Sequence, residues 1–278
     1  MMPNGTWSLT ATNRRVINVI VALLMLFALV VSPVGTPPAY AAPAANLDQC
    51  ANGSATAPNN PCEWVNGNLG PSKSHYIEGY SVAYRAVLTD LPTDGSAVSV
   101  TFGYDIKHSG VTAIDFLTGY SNLEPHAGFG HSAESVQPLA GVGITDADGV
   151  SEIAIAQPSG LVAGAVTEFN ALNGKISLFD DGSGSTLTGF SYPSQGSFAA
   201  ANSETTFQVT FDSHSETVVV AWGGHIATAA SWGDGNSAGG LSGSPYHMRL
   251  KDWNLGNLGQ QDRSLKADAI FPTGTIIV

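Results

Sequence analysis

Four groups of side chains in this sequence have types and spacings that could support chemistry. The first is acidic. Asp146, Asp148 and Glu152 put three carboxylates within seven residues, with Gly149 to turn the chain. Hard cations take several oxygen ligands, so these three are candidate calcium ligands. The full EF-hand pattern is absent. Asp180-Asp181-Gly182 and Asp234-Gly235-Asn236 are further oxygen-rich turns, although Asp-Gly is also an ordinary β-turn. The second group is the histidines. His225, His247, His75 and His108 fall near strand ends, and His126 and His131 fall in a long loop. None has the HExxH spacing of a helical zinc site. The third is hydrolytic. Gly240-Leu241-Ser242-Gly243-Ser244 lacks the last glycine of a nucleophile elbow, and no carboxylate pair is singled out by spacing. No catalytic residue is assigned, and the chain reads as a non-enzyme. The fourth is aromatic. Trp222, Trp232, Trp253, Tyr246 and Tyr120 could stack on sugar rings. Trp222 reads as core. Trp232, in a Gly/Asp/Ser loop, reads as an exposed platform, with Asp234, Tyr246, His225 and His247 as the other candidate ligand-binding residues.

The elements that must carry these groups are strands. Residues 217–222 are β-branched and apolar, the mark of a strand buried on both faces. Gly223 and Gly224 are expected to break or bulge it. Residues 246–252 alternate, with Tyr246, Met248 and Leu250 on one face and His247, Arg249 and Lys251 on the other. Residues 76–88 and 97–106 also alternate around the turn Leu91-Pro92-Thr93-Asp94-Gly95 and are expected to pair as a hairpin, with Arg85 pointing away from the apolar face. Residues 111–120 are β-prone and hold Asp115 among apolar neighbours. Residues 121–149 form a long loop, a feature that tends to be functional or disordered. Residues 152–156, 162–169, 175–179, 187–192, 206–211, 267–271 and 275–278 read as further strands, with a short helix inside 165–172 as the alternative for that part. Many short strands bounded by glycine-rich turns give an all-β fold, a two-sheet antiparallel β-sandwich or jelly roll. Arg249 with Asp252, and Asp262 with Arg263, are candidate ion pairs.

The N-terminus carries Arg14 and Arg15, an apolar run over 16–31, and Ala39-Tyr40-Ala41. That pattern predicts a signal peptide over 1–41, followed by one β-sandwich domain over 42–278. The apolar run is shorter than the roughly 20 residues of a membrane span, and no later stretch is long enough either. The full chain has a net charge of −12, and the leader holds two arginines and no acid. So acidic a surface argues against nucleic acid and anionic lipid as partners. Export makes a disulfide between Cys50 and Cys62 the expected state, stapling the otherwise unsupported loop between them. The apolar tail over 275–278 either closes its own sheet or adds to a neighbour's edge, which would give a homo-oligomer or filament.

The stretches Leu47-Asp48-Gln49-Cys50-Ala51-Asn52-Gly53, Ala221-Trp222-Gly223-Gly224-His225-Ile226-Ala227, Ser242-Gly243-Ser244-Pro245-Tyr246-His247-Met248-Arg249 and Gln261-Asp262-Arg263-Ser264-Leu265 resemble a module of exported bacterial proteins. So do Pro61-Cys62-Glu63-Trp64-Val65-Asn66-Gly67-Asn68-Leu69-Gly70 and Ser74-His75-Tyr76-Ile77-Glu78-Gly79. That uncharacterised module sits within larger surface or adhesin-like chains. The resemblance implies an exported β-rich surface module and brings no catalytic residues with it. The function expected is that of a secreted or cell-surface, non-catalytic structural or adhesion module, calcium-stabilised and self-assembling. Its expected partner is an extracellular protein or glycan. The alternative is a carbohydrate-binding module using loop aromatics, with an extracellular hydrolase as a distant third.

Overall fold

The computed structural model describes residues 41–123, 127–132, 134–144, 150–240 and 245–273. Contacts divide the chain into Met1–Ala41 and Ala42–Val278, and the second unit is the one described. The expected leader, the acids Asp146 and Asp148, His126 and the tail over 275–278 lie outside the described residues.

Two antiparallel sheets face each other, as the alternation predicts. In the first, β1 (Ala44–Ser54) lies between β2 (Ala57–Val65) and β4 (Ser81–Thr89), and β4 pairs with β12 (Val218–Ile226). Beyond β12 come β9 (Lys175–Phe179) and β8 (Val150–Ala154), with β7 (Ile114–Thr118) paired to the other end of β12. The second sheet runs β10 (Thr186–Ser194), β11 (Ser203–Asp212), β5 (Ala97–His108), β13 (Pro245–Trp253), β14 (Gln261–Lys266), with β6 (Val111–Thr112) on β5. A small parallel pair joins β3 (Tyr76–Ile77) to β15 (Ile270–Phe271). Between the large sheets, Trp222 packs against Phe102 and Phe207 with ring centroids 4.6 and 5.4 Å apart.

Several expectations are corrected. β4 and β5 do not form a hairpin: β4 pairs with β1 and β12, and β5 with β11 and β13, in the opposite sheet. The turn after β4 is a corner between sheets. Asp90 there adopts φ 54° and Leu91 donates its N–H to the Glu216 carbonyl. The apolar faces of the two strands therefore meet across the core rather than side by side. Residues 76–88 are not one strand either, because Gly79 at φ 89° separates β3 from β4. Residues 163–169 are not a strand: they belong to a helix, α1 (Ala163–Leu172), which is the alternative expected over 165–172 and is closed by Asn173 in the left-handed region. Residues 267–269 form a 3-10 turn before β15.

The loop between the cysteines is instead a hairpin. Cys50 of β1 stands beside Trp64 of β2, and the Cys50–Cys62 bridge spans 5.7 Å between Cα atoms. Backbone pairing with β4 holds residues whose composition is poor for strands. The bridge closes a loop of sequence separation 12. Reduction is expected to cost about 3 kcal/mol on the chain-entropy account. Urea titrations with and without reductant measure it; superimposable curves would contradict this assignment.

β12 is not broken by its glycines. It pairs continuously with β4 from Val218↔Leu88 to His225↔Ser81. The glycines serve close approach instead: a Cβ on Gly223 would sit 2.6 Å from the Gly119 carbonyl oxygen, and one on Gly224 would sit 3.1 Å from Tyr84 Cε2. The outward residues Val219 and Ala221 are covered by Leu139, Val142 and Ile144 of the long loop. β12 is thus buried on both faces, as its continuous apolar run implies.

Candidate functional site

The irregularity beside Gly223 and Gly224 lies in β7, and it builds a buried polar cluster. The pairing steps from Gly224↔Leu117 to Ile226↔Ile114. Asp115 and Phe116 together therefore oppose the single residue His225, a two-against-one bulge. Each flanks the imidazole. The Phe116 ring stacks on His225 at 4.0 Å with an 11° interplanar angle. Asp115 Oδ1 lies 2.6 Å from His225 Nδ1. A carboxylate oxygen accepts, so Nδ1 is the donor in this bond, and in the neutral imidazole Nε2 then presents its lone pair.

Two further elements complete the cluster. Helix α1 buries Ala165 and Phe169, with Phe169 edge-on to Phe116 at 5.4 Å, and so brings Glu168 over the imidazole. Glu168 Oε2 faces His225 Nε2 at 4.0 Å. Thr228 Oγ1 donates to Glu168 Oε1 at 3.1 Å and also caps the short helix α2 (Ala229–Trp232) by accepting from Ser231 N. Trp232 Nε1 donates to Asp115 Oδ2 at 2.8 Å. The segment carrying Trp232 is anchored by the buried Glu78 carboxylate, which accepts from Ala229 N at 3.1 Å and Gly239 N at 2.8 Å. Asp115 and His225 are 0% exposed, whereas the Glu168 side chain is 30% exposed. Neither His225 Nε2 nor Glu168 Oε2 has a hydrogen-bond partner among the described residues.

This geometry revises the roles read from sequence. Trp232 is no open platform: its ring stacks on Phe198 at 4.5 Å, and its N–H is held by Asp115. Tyr246 faces the core and donates its hydroxyl to the Ala238 carbonyl, which leaves no ring face for a ligand. Asp234 is exposed in the turn after α2 and away from the cluster's hydrogen bonds. Of the three candidate calcium ligands, only Glu152 is described. It pairs with Lys175 Nζ at 2.7 Å across β8 and β9. Asp180 and Asp181 accept from Gly182, Ser183 and Ser185, the local turn bonding that Asp-Gly sequences favour. Glu168 was not singled out by sequence reasoning, since its segment read as a strand. Asp115 was legible only as an acid among apolar neighbours.

His247 belongs to a separate network on the outer face of the second sheet. Asp105 accepts from His247 N at 3.1 Å, His247 Nδ1 at 2.8 Å and Arg249 Nη1 at 2.6 Å. Arg249 also reaches Glu204 at 2.7 Å and Asp262 at 3.4 Å, and Lys251 pairs with Glu204. Arg249 is thus bound across three strands, not to Asp252. Arg263 turns the other way, to the Leu47 carbonyl and the Gln261 side chain. Gly103, opposite Arg249, leaves the space: a Cβ there would lie 2.8 Å from Lys251 Cδ. Burial alone would raise the Asp105 pKa, but the bonds from His247 and Arg249 outweigh it and hold the value below the usual carboxylate range. The unfolded carboxyl titrates near about 3.9. The stability this site contributes is therefore complete above that pH and is lost as pH falls through the lower folded value. Asp105→Asn is expected to flatten the acid limb of stability against pH. Urea titrations from neutral pH to below pH 4 check this, and an unchanged slope would refute it.

No protein-family model, curated protein or solved structure matches the chain.

Proposed function

We propose that the chain is an extracellular, non-catalytic adhesion or structural module that meets its partner through the outer face of the second sheet. The observation that carries this reading is the unequal covering of the two sheets. Outside the first sheet lies the long loop, which Arg85 fastens by donating to the Pro138 and Ala140 carbonyls and whose Leu139, Val142 and Ile144 cover Val219 and Ala221. Among the described residues nothing packs outside the second sheet at Thr206, Gln208 and Thr210, which are half-exposed. Beside them Asp105, His108, Glu204, His247 and Arg249 line an open depression of about 480 Å³. A rigid polar face with fixed charges of both signs suits register-specific contact with another extracellular surface. The disulfide supports an oxidising compartment.

The test is a replacement on the open face and another away from it. Thr206→Arg with Thr210→Arg alters the open face; Asn170→Arg alters exposed α1. Each protein is tested against a glycan array and against cell-surface extracts, with and without calcium. The reading expects specific capture that only the first variant loses, at unchanged melting temperature. Glycan capture would select the carbohydrate-binding form of the reading. Equal capture by both variants, or turnover of a polymer by the purified protein, would overturn it.

A further inference from the structure

We infer that His225 and Glu168 form a binding site for a divalent transition metal of the zinc class. In the neutral imidazole, with Nδ1–H donating to Asp115, His225 Nε2 is an acceptor and is free to ligate a metal. It faces Glu168 Oε2, also an acceptor, across 4.0 Å. In that form two lone pairs face each other, and neither atom has a hydrogen-bond partner among the described residues. The His225 side chain is 1% exposed, so bulk water does not solvate Nε2. No Lys or Arg pairs with Asp115 or Glu168 among the described residues, so the charge that buried carboxylates demand comes from an imidazolium at His225 or from a bound cation.

A metal answers that demand with the distances available. Zinc lies about 2.0–2.1 Å from imidazole nitrogen and about 2.0–2.2 Å from carboxylate oxygen. The two atoms already stand near the sum of those lengths. A tetrahedral angle would draw them together by roughly 0.6 Å, a small rotation for the partly exposed Glu168. The imidazole selects a borderline-soft ion over calcium or magnesium, which prefer all-oxygen shells. Both ligands are oriented from behind, as metal ligands commonly are. Asp115 holds the imidazole, with Trp232 holding Asp115, and Thr228 holds Glu168. Asp115 is an orienting group here, since both its oxygens are already engaged. The remaining coordination positions belong to water or to an external ligand. The site is separate from the open sheet face and does not depend on it.

The full chain, stripped with chelator, is titrated with Zn²⁺ by calorimetry, with Ca²⁺ and Mg²⁺ as comparisons. One equivalent of Zn²⁺ is expected to bind. Glu168→Gln should weaken it at least tenfold while circular dichroism and melting of the metal-free protein stay unchanged. His247→Gln, on the other sheet face, should leave it intact. In an imidazole-nitrogen NMR spectrum the His225 Nε2 resonance should move on zinc addition, which reads the site without substituting the buried histidine. The proposal is overturned by absence of saturable uptake, by equal uptake in Glu168→Gln, by loss in His247→Gln, or by an unmoved Nε2 resonance.

Discussion

Arg85→Ala is expected to destabilise the folded chain by about 3–5 kcal/mol, the range for removing one partner of a buried ion pair. Arg85 and Asp48 are 7% and 8% exposed at their side chains and meet at 3.0 Å. The loss exceeds that pair. One guanidinium nitrogen donates at 2.7 Å to both the Pro138 and Ala140 carbonyls, and the guanidinium lies 4.7 Å over the Trp64 ring. Trp64 itself donates to the Gln137 carbonyl at 2.8 Å. Arg85 thus fastens the long loop to the outside of the first sheet. Lysine should not restore it, because one ammonium cannot reproduce the planar fork. Chemical denaturation gives the magnitude, and limited proteolysis should cut within 134–144 in the variant while sparing the parent. A cost below about 1 kcal/mol would place Arg85 among ordinary surface pairs.

The second large effect is expected at Trp222. Trp222→Ala should cost about 3–5 kcal/mol, as for large aromatic truncations that leave a cavity. The indole is fully buried and touches Tyr84, Phe102 and Phe207 from three directions. Its N–H has no partner among the described residues. Trp222→Phe should therefore cost much less than the alanine variant, since it keeps much of the ring and removes an unpaired buried donor. Equal losses for the two would mean that ring contact is not what the site contributes. Thermal or urea unfolding decides between these outcomes.

Much of the sandwich was legible because it is written in period two. Phe207, Val209 and Phe211 alternate with polar residues, and β11 forms where they do. The same holds for β5 and β13. What could not be read is partnership between distant strands. β4 and β5 are adjacent in sequence and carry matching apolar faces, which fits a hairpin as well as two layers; only the corner at Asp90 distinguishes them. β1 and β2 escaped because Asn, Pro and Ala are poor strand formers whose pairing comes from β4 and the disulfide. The interior cluster was half visible. His225 stood out beside two glycines, and Asp115 stood out among apolar residues. Nothing local joined them, because a bulge in one strand and a helix from elsewhere bring the three groups together.

The borders of the sheets carry a last consequence. β8 and β10 are linked by Leu187 N to Ser151 Oγ and by the Tyr192 hydroxyl to the Ala156 carbonyl. β1 and β14 are tied by Gln261 and Arg263 to the Leu47 backbone. β2 carries Pro58 and Pro61, and its Cys62 N–H is taken by the Ser135 carbonyl. Among the described residues these contacts cover part of each rim. A strand arriving from another copy would meet these side chains and prolines at the described rims before it met free backbone groups.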